Sequence, residues 1–142
     1  MIVKATPETI HQILPLAREF TGQIPDYPLN ETSYIDGLKN LIKSGAGGMW
    51  MWVKNSVVVG AIGGVKYPDM LTGRMVALEM YWFVTESCRG GIGAVKLLKQ
   101  FESWASESGC SHVFMVNLEC SMSERLAVFY QKMGYRLLLV RP

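Results

Sequence analysis

From Met75 to Val84 every position but Glu79 is apolar, and the chain then passes through Gly90-Gly91-Ile92-Gly93 into a stretch with helical spacing. A strand, a glycine turn and a helix in that order commit the chain to a layered α/β arrangement, in which helices cover the faces of a sheet. The turn also has a chemical consequence. Its unpaired backbone N–H groups and the positive end of the helix converge on one place, which suits a pyrophosphate, and glycines keep Cβ atoms from holding such a group away. A nucleotide P-loop would need Gly-Lys-Ser/Thr, which is absent. A dinucleotide fingerprint would need a third glycine where Lys96 stands. On this segment alone, a turn of purely structural use stays open.

The rest of the chain extends the same pattern. Residues 2–5 read as an opening strand. Thr6-Pro7-Glu8 has the form of a helix start, and Ile10, Ile13, Leu14, Ala17 and Phe20 follow at helical spacing. Gly22, Pro25 and Pro28 mark residues 21–29 as a loop, and a second helix is expected over about 32–43, ending at Ser44-Gly45. Residues 49–53 and 57–65 read as strands joined tightly through Lys54-Asn55-Ser56. Gly60, Gly63 and Gly64 point to a bulge or a close backbone approach. After the strand at 76–84 come a helix over 93–108 and a strand over 112–118. Ser121-Met122-Ser123-Glu124 then has the spacing of a capping box, for a helix that Gly134 ends, and residues 135–140 form a last strand. The order is β-α-α-β-β-β-α-β-α-β, a mixed sheet in a single domain spanning residues 1–142.

Composition narrows the function. With 49% hydrophobic and 18% charged residues, the chain of 142 residues has ample core and too little charge for intrinsic disorder. A net charge of +2 gives no footprint for nucleic acid or an anionic membrane, and no apolar run approaches the roughly 18 residues of a membrane span. The first residues show no signal-peptide pattern, and Cys88, Cys110 and Cys120 form no C-x-x-C pair. Reduced thiols in the cytoplasm are therefore expected, with the three cysteines buried and inert. His11 and His112 are not within ligand spacing of another His or Cys, so no metal is expected.

The glycine turn resembles the acetyl-CoA-binding motif of the GNAT superfamily of N-acetyltransferases, [QR]-x-x-G-x-[GA]. Val84 fits the strand end, Arg89 the first position, Ala94 the final small residue, and Leu97-Leu98 the helix leucines, while Glu86 replaces a common proline and Ile92 the middle glycine. A second segment, Ser123-Glu-Arg-Leu126-Ala-Val-Phe129-Tyr130-Gln-Lys-Met-Gly134-Tyr135, resembles the family's N-x-x-A-x-x-x-Y-x-x-x-G-[FY], with Ser123 for Asn and Leu126 for Ala. The element order agrees as well, with a shortened C-terminus that holds one closing strand instead of two.

The resemblance implies the GNAT acyl-CoA N-acyltransferase fold and direct transfer of an acetyl group from acetyl-CoA to an amine. It places the thioester or pantetheine on the backbone of Phe83 and Val84, and the pyrophosphate on Arg89, Gly90, Gly91, Ile92, Gly93 and Ala94, with Ser123 also at the cofactor. Tyr130 would be the general acid, or else a half-buried helix aromatic. Glu79 is the candidate base, since burial in an apolar strand would raise its pKa, or else an exposed or paired glutamate. Arg89 braces the loop or meets phosphate, or is a free surface side chain. The acceptor, a small-molecule or protein amine, would lie between residues 20–29 and 66–74, where Asp26, Tyr27 and Asp69 could meet it. The alternative is a non-catalytic acyl-CoA-binding or interaction module that kept the fold. The apolar Arg136–Val140 strand lacks a hairpin partner, so a homodimer through it is expected.

Overall fold

The turn at Asn55-Ser56 sets the register of the sheet. Both residues have positive φ, 51° and 62°, the backbone that matches the twist of a two-residue hairpin. In this computed structural model, which describes residues 1–89, 92–116 and 131–135, the turn joins β2 (Gly47–Lys54) to β3 (Val57–Pro68) with Lys54 opposite Val57. A second turn leads from β3 to β4 (Met75–Val84). Here the Asp69 carboxylate accepts bonds from the Thr72 N–H at 3.1 Å and the Thr72 hydroxyl at 2.9 Å, and Gly73 takes a φ of 73°. β1 (Ile2–Lys4) pairs antiparallel with β2, and β5 (His112–Phe114) pairs parallel with β4. Among the described residues the sheet therefore has the order β1-β2-β3-β4-β5.

Three helices cover it among the described residues: α1 (Leu14–Gly22), α2 (Glu31–Ser44) and α3 (Gly93–Glu107). α2 lies close to its expected bounds and ends at the expected Gly45, while its N-cap, Asn30, is a finding of the structure. The Asn30 side chain accepts from the Ser33 N–H at 3.0 Å, and Gly45 closes the helix at φ 76°. α1 differs from expectation. The helix signal at Thr6-Pro7-Glu8 leads into turns in which Thr6 and Thr9 exchange backbone-to-hydroxyl bonds, then a short 3-10 segment at Ile10–Ile13. The α-helix begins only at Leu14. The reason is Pro15: in a helix started at Pro7 it would lie in the interior, without an N–H and in collision with the His11 carbonyl, whereas in the first turn of α1 neither cost arises. α1 also continues through Thr21, whose hydroxyl bonds the Ala17 carbonyl at 3.0 Å, so the expected loop starts later.

Alternate residues of the central strands supply two cores. Met49, Met51, Ala61 and Phe83 pack with Ile10, Ile13 and Leu16 beneath α1 and α2. Trp50, Ile62, Ala77 and Val84 pack with Leu97, Leu98 and Phe101 of α3. Two bulges interrupt this alternation. The step from Trp52↔Gly60 to Val53↔Val58 leaves Val59 unpaired, and the step from Gly63↔Tyr81 to Gly64↔Glu79 leaves Met80 unpaired. The glycines of β3 serve close approach, as the sequence suggested. A Cβ on Gly64 would strike the Leu78 carbonyl oxygen and the Phe101 ring.

Toward the C-terminus β5 is shorter than expected, since residues 115–116 are not in a strand. Ser121–Tyr130 of the expected helix and Arg136–Val140 of the last strand, with the dimer expected through it, lie outside the described residues. The end of that helix is described: the Gly134 N–H bonds the Gln131 carbonyl at 3.1 Å and Gly134 has φ 92°.

Gly64→Ala is expected to cost about 1–3 kcal/mol, the usual penalty for overpacking a closed site. Gly22→Ala, where a Cβ meets nothing within 4 Å, should be neutral or stabilising. Urea denaturation followed by tryptophan fluorescence reads both, and an unchanged Gly64→Ala midpoint would contradict the close approach.

Candidate active site

β4 and β5 part company. Their pairing runs Val76↔His112, Ala77↔Val113 and Leu78↔Phe114 and stops there among the described residues. β4 continues to Val84, held on its other edge by β3. The result is a fork beside Glu79, with the bulged Met80 next to it.

Glu79 is 5% exposed. Its Oε1 accepts one bond, from the Val116 N–H at 3.4 Å. A bond that long offsets little of the cost of holding a charge away from water, so burial pushes the carboxyl up to about 7, against the smaller, opposite pull of Val116. Near neutral pH this side chain exists in both protonation states, which a proton-transfer group requires.

At the far end of β4, Phe83 and Val84 are both buried. The chain then turns sharply, and three tethers fix that turn. The Thr85 N–H bonds the carbonyl of the bulged Val59 at 2.8 Å. The Thr85 hydroxyl donates to Glu19 Oε1 of α1 at 2.6 Å, and the Glu86 N–H reaches Glu19 Oε2 at 3.4 Å. Arg89 supplies the third: its Nε donates to the Val84 carbonyl at 2.8 Å and its guanidinium lies 5.1 Å from the centre of the Phe83 ring. In this geometry Arg89 braces the loop. Glu19 gave no sequence signal, because an acid on a helix is ordinarily solvated.

α3 starts at Gly93, and Ile92 before it makes no side-chain cap. The first turn carries no acidic residue, so the positive helix end is not offset locally. Gly93 lies flat against Trp52 of β2, whose ring a Cβ would strike. Ile92 is 70% exposed and joins Trp52, Gly93, Lys96 and Lys99 around a cavity of about 440 Å³. Ala94 packs against the α3 core. Lys96 and Lys99 were not singled out in the sequence, although their spacing puts both near the helix start. Gly90, Gly91, Ser123 and Tyr130 lie outside the described residues.

A larger cavity of about 610 Å³ opens on the α1–α2 side, reaching β4 at Met80 and Tyr81. Tyr27 and Leu29 of the α1–α2 loop line it, while Asp26, Asp69 and the remainder of residues 66–74 do not. The hydroxyls of Tyr34 and Tyr81 are buried there and have no partner among the described residues. Burial pushes Tyr34 up to about 12. Tyr81 is raised too, by burial first and then by the neighbouring Tyr34 and Glu19. Elsewhere, His11 and His112 are exposed, with the His112 Nδ1 2.9 Å from the Ser111 hydroxyl. Cys88 and Cys110 are half-buried free thiols, Cys110 raised by burial, and Cys120 lies outside the described residues. The described residues hold no cluster of three or more His, Cys, Asp or Glu and no helix long and apolar enough to cross a membrane.

Glu79 should leave a mark on stability. Folded, it keeps its proton to about pH 7; the ordinary value is 4.5. The stabilisation from its raised pKa is complete below pH 4.5 and is lost as pH rises through 7. Glu79→Gln never ionises, so relative to wild type it should gain stability over that window and then plateau, by on the order of 3 kcal/mol. Urea unfolding at several pH values measures this, and parallel curves would show that folding leaves the Glu79 pKa at its ordinary value.

Comparison with known proteins identifies the family and the fold. The model of the Acetyltransferase (GNAT) family matches residues 9–135. An aminoglycoside acetyltransferase from an uncultured soil metagenomic sample superposes with a TM-score of 0.81 at 14% identity, over 99% of this chain and 94% of that one. An acetyltransferase of Trypanosoma brucei gives 0.77 at 18%, over 100% and 96%. A ribosomal-protein-alanine N-acetyltransferase of Brucella melitensis biovar Abortus gives 0.72 at 16%, over 99% and 97%. These identities carry the fold and leave the substrate undetermined, and no curated protein sequence matches the chain. With the family model matching most of its length, the chain belongs to the acetyltransferase (GNAT) family.

Proposed function

We propose that the protein transfers an acetyl group from acetyl-CoA to a primary amine by direct attack in a ternary complex. The observation that carries this reading is the fork: β4 leaves β5 after Leu78, and the strand then runs to an uncapped helix start without a first-turn acid. A thin, hydrogen-bonding chain such as pantetheine fits beside the stretch of β4 past Leu78, where the described pairing with β5 ends. The pyrophosphate that follows it fits the N-terminus of α3, with Lys96 and Lys99 beside it. The reaction belongs in the cytoplasm on this reading, in keeping with the free thiols of Cys88 and Cys110.

The chemistry follows in a fixed order. The ammonium form of the acceptor loses a proton, for which Glu79 is the acceptor, directly or through water. The free amine attacks the thioester carbonyl carbon, and a C–N bond forms. Backbone N–H groups of the β4 edge support the oxygen as charge builds on it. The C–S bond then breaks, and the CoA thiolate takes a proton from Tyr130, the role the sequence resemblance implies for that residue. The nitrogen, positively charged since the C–N bond formed, gives up its extra proton to the tyrosinate, which leaves the neutral amide and Tyr130 restored.

Calorimetric titration with acetyl-CoA, with NAD as control, tests the binding half: micromolar affinity for the first and none for the second is expected. Turnover tests the rest. Glu79→Gln should lower kcat about 10²-fold and remove a rise in rate near pH 7, and Tyr130→Phe should slow thioester cleavage without loss of acetyl-CoA binding. Binding with no thioester cleavage under any amine would point to a non-catalytic acyl-CoA-binding module. No binding would overturn the reading.

A further inference from the structure

Resting on that reading, we propose that the acceptor is a small primary amine with a single positive charge on an aromatic or apolar body, held in the cavity between α2 and β4. The cavity lining makes the choice. Among its described lining residues there is not one Asp, Glu, Lys or Arg; the walls are mainly aromatic and aliphatic, with Phe20, Tyr27, Tyr34, Leu38 and Tyr81 prominent. The remaining polar side chains among them, Thr21, Asn30 and Ser33, are neutral. Of the two nearby carboxylates, Glu19 is committed to Thr85 and Glu86, and Glu79, buried next to Met80, serves the one amine that reacts. Moving a charge into such surroundings is costly unless a partner meets it, so a polyamine or an aminoglycoside would bring several charges with nothing to pair them. An amine with one charge escapes this by losing its proton. The same apolar walls that exclude the ammonium favour the neutral amine, which is the form that attacks a thioester.

Two further observations fit this occupant. The hydroxyls of Tyr34 and Tyr81 are buried and have no partner among the described residues. A buried hydroxyl without a partner is a cost in the empty protein, and a ligand N–H or hydroxyl at the cavity wall relieves it. The second observation is Gly37, in the interior of α2 and on the cavity wall. Glycine is a poor residue for a helix interior, and no packing demands it here, because a Cβ at Gly37 would meet no atom within 4 Å. What its absent side chain leaves is room in the cavity. At about 610 Å³ the space lies within the roughly 300–1,000 Å³ of small-molecule sites. It reaches β4 at Met80 and Tyr81, immediately beyond the fork, so an amine held there points at the transferred acetyl group.

The test compares 2-phenylethylamine, spermidine and kanamycin as acceptors in release of CoA thiol from acetyl-CoA, together with binding of 2-phenylethylamine to the free protein by saturation-transfer NMR. The aromatic amine is expected to exceed both polycations by at least about 10²-fold in kcat/KM. Gly37→Phe should raise its KM more than about tenfold and abolish its NMR signal while leaving acetyl-CoA affinity and the melting temperature intact. Tyr34→Phe and Tyr81→Phe keep the proposal testable should Gly37→Phe fail to fold. Each is expected to melt higher than wild type yet bind the aromatic amine more weakly, a combination that a purely structural tyrosine does not give. Equal or better turnover of the polycations, with acetyl-CoA bound, overturns this inference and leaves the proposed reaction standing. Loss of acetyl-CoA binding with the NMR signal retained overturns the reaction and not the cavity's preference. No NMR signal and no turnover of the aromatic amine overturns the preference.

Discussion

The structure depends on one extra residue in β4. In a strand, side chains alternate between faces, so an inserted residue sends everything beyond it to the opposite side. Ala77 faces α3, and without the bulge at Met80 Tyr81 and Phe83 would follow it there. With the bulge, Tyr81 and Phe83 join the α1–α2 core and Trp82 and Val84 take the α3 side. The bulge thus gives the large cavity its tyrosine wall. It also sits where β4 leaves β5, since the register slip comes directly after the last paired residue, Leu78. Gly64 makes the arrangement possible by letting β3 pass under the Phe101 ring at the same level.

Much of this was legible in the sequence for local reasons. The end of α2 rests on Gly45, which acts within a turn of itself and is read directly from the sequence, whereas the Asn30 cap at its start is not. The order of the described elements follows from apolar spacing together with the Gly, Pro and polar turns between the segments. Glu79 declared itself as an acid in an apolar run, and the structure decides for burial between the two readings that pattern leaves open. The start of α1 was misjudged because two prolines offered competing first positions and the choice of Pro7 left Pro15 stranded inside the helix.

What the sequence did not show is nonlocal. The parting of β4 and β5 depends on where two segments more than 30 residues apart stop meeting, and no pattern within either one encodes it. Glu19 looks like any helix acid until Thr85 is brought to it across the fold. Tyr34 and Tyr81 read as ordinary core residues, and only the arrangement of strands around them leaves their hydroxyls unmet among the described residues. Lys96 and Lys99 carry no signal beyond their spacing, because lysines on a helix are ordinarily solvated. The site is therefore written in side chains whose types are common and whose meeting is not.

The contact between Trp52 and Gly93 has a consequence for observation. The indole of Trp52 lies against the first residue of α3 and lines the same small cavity as Lys96 and Lys99. An anion that settles at the helix start changes the field and the water around that ring, and indole emission responds to both. The fold thus carries its own optical gauge, seated where the nucleotide end of a donor would arrive and separate from the cavity on the far face, so the filling of one site can be followed without labelling and without disturbing the other.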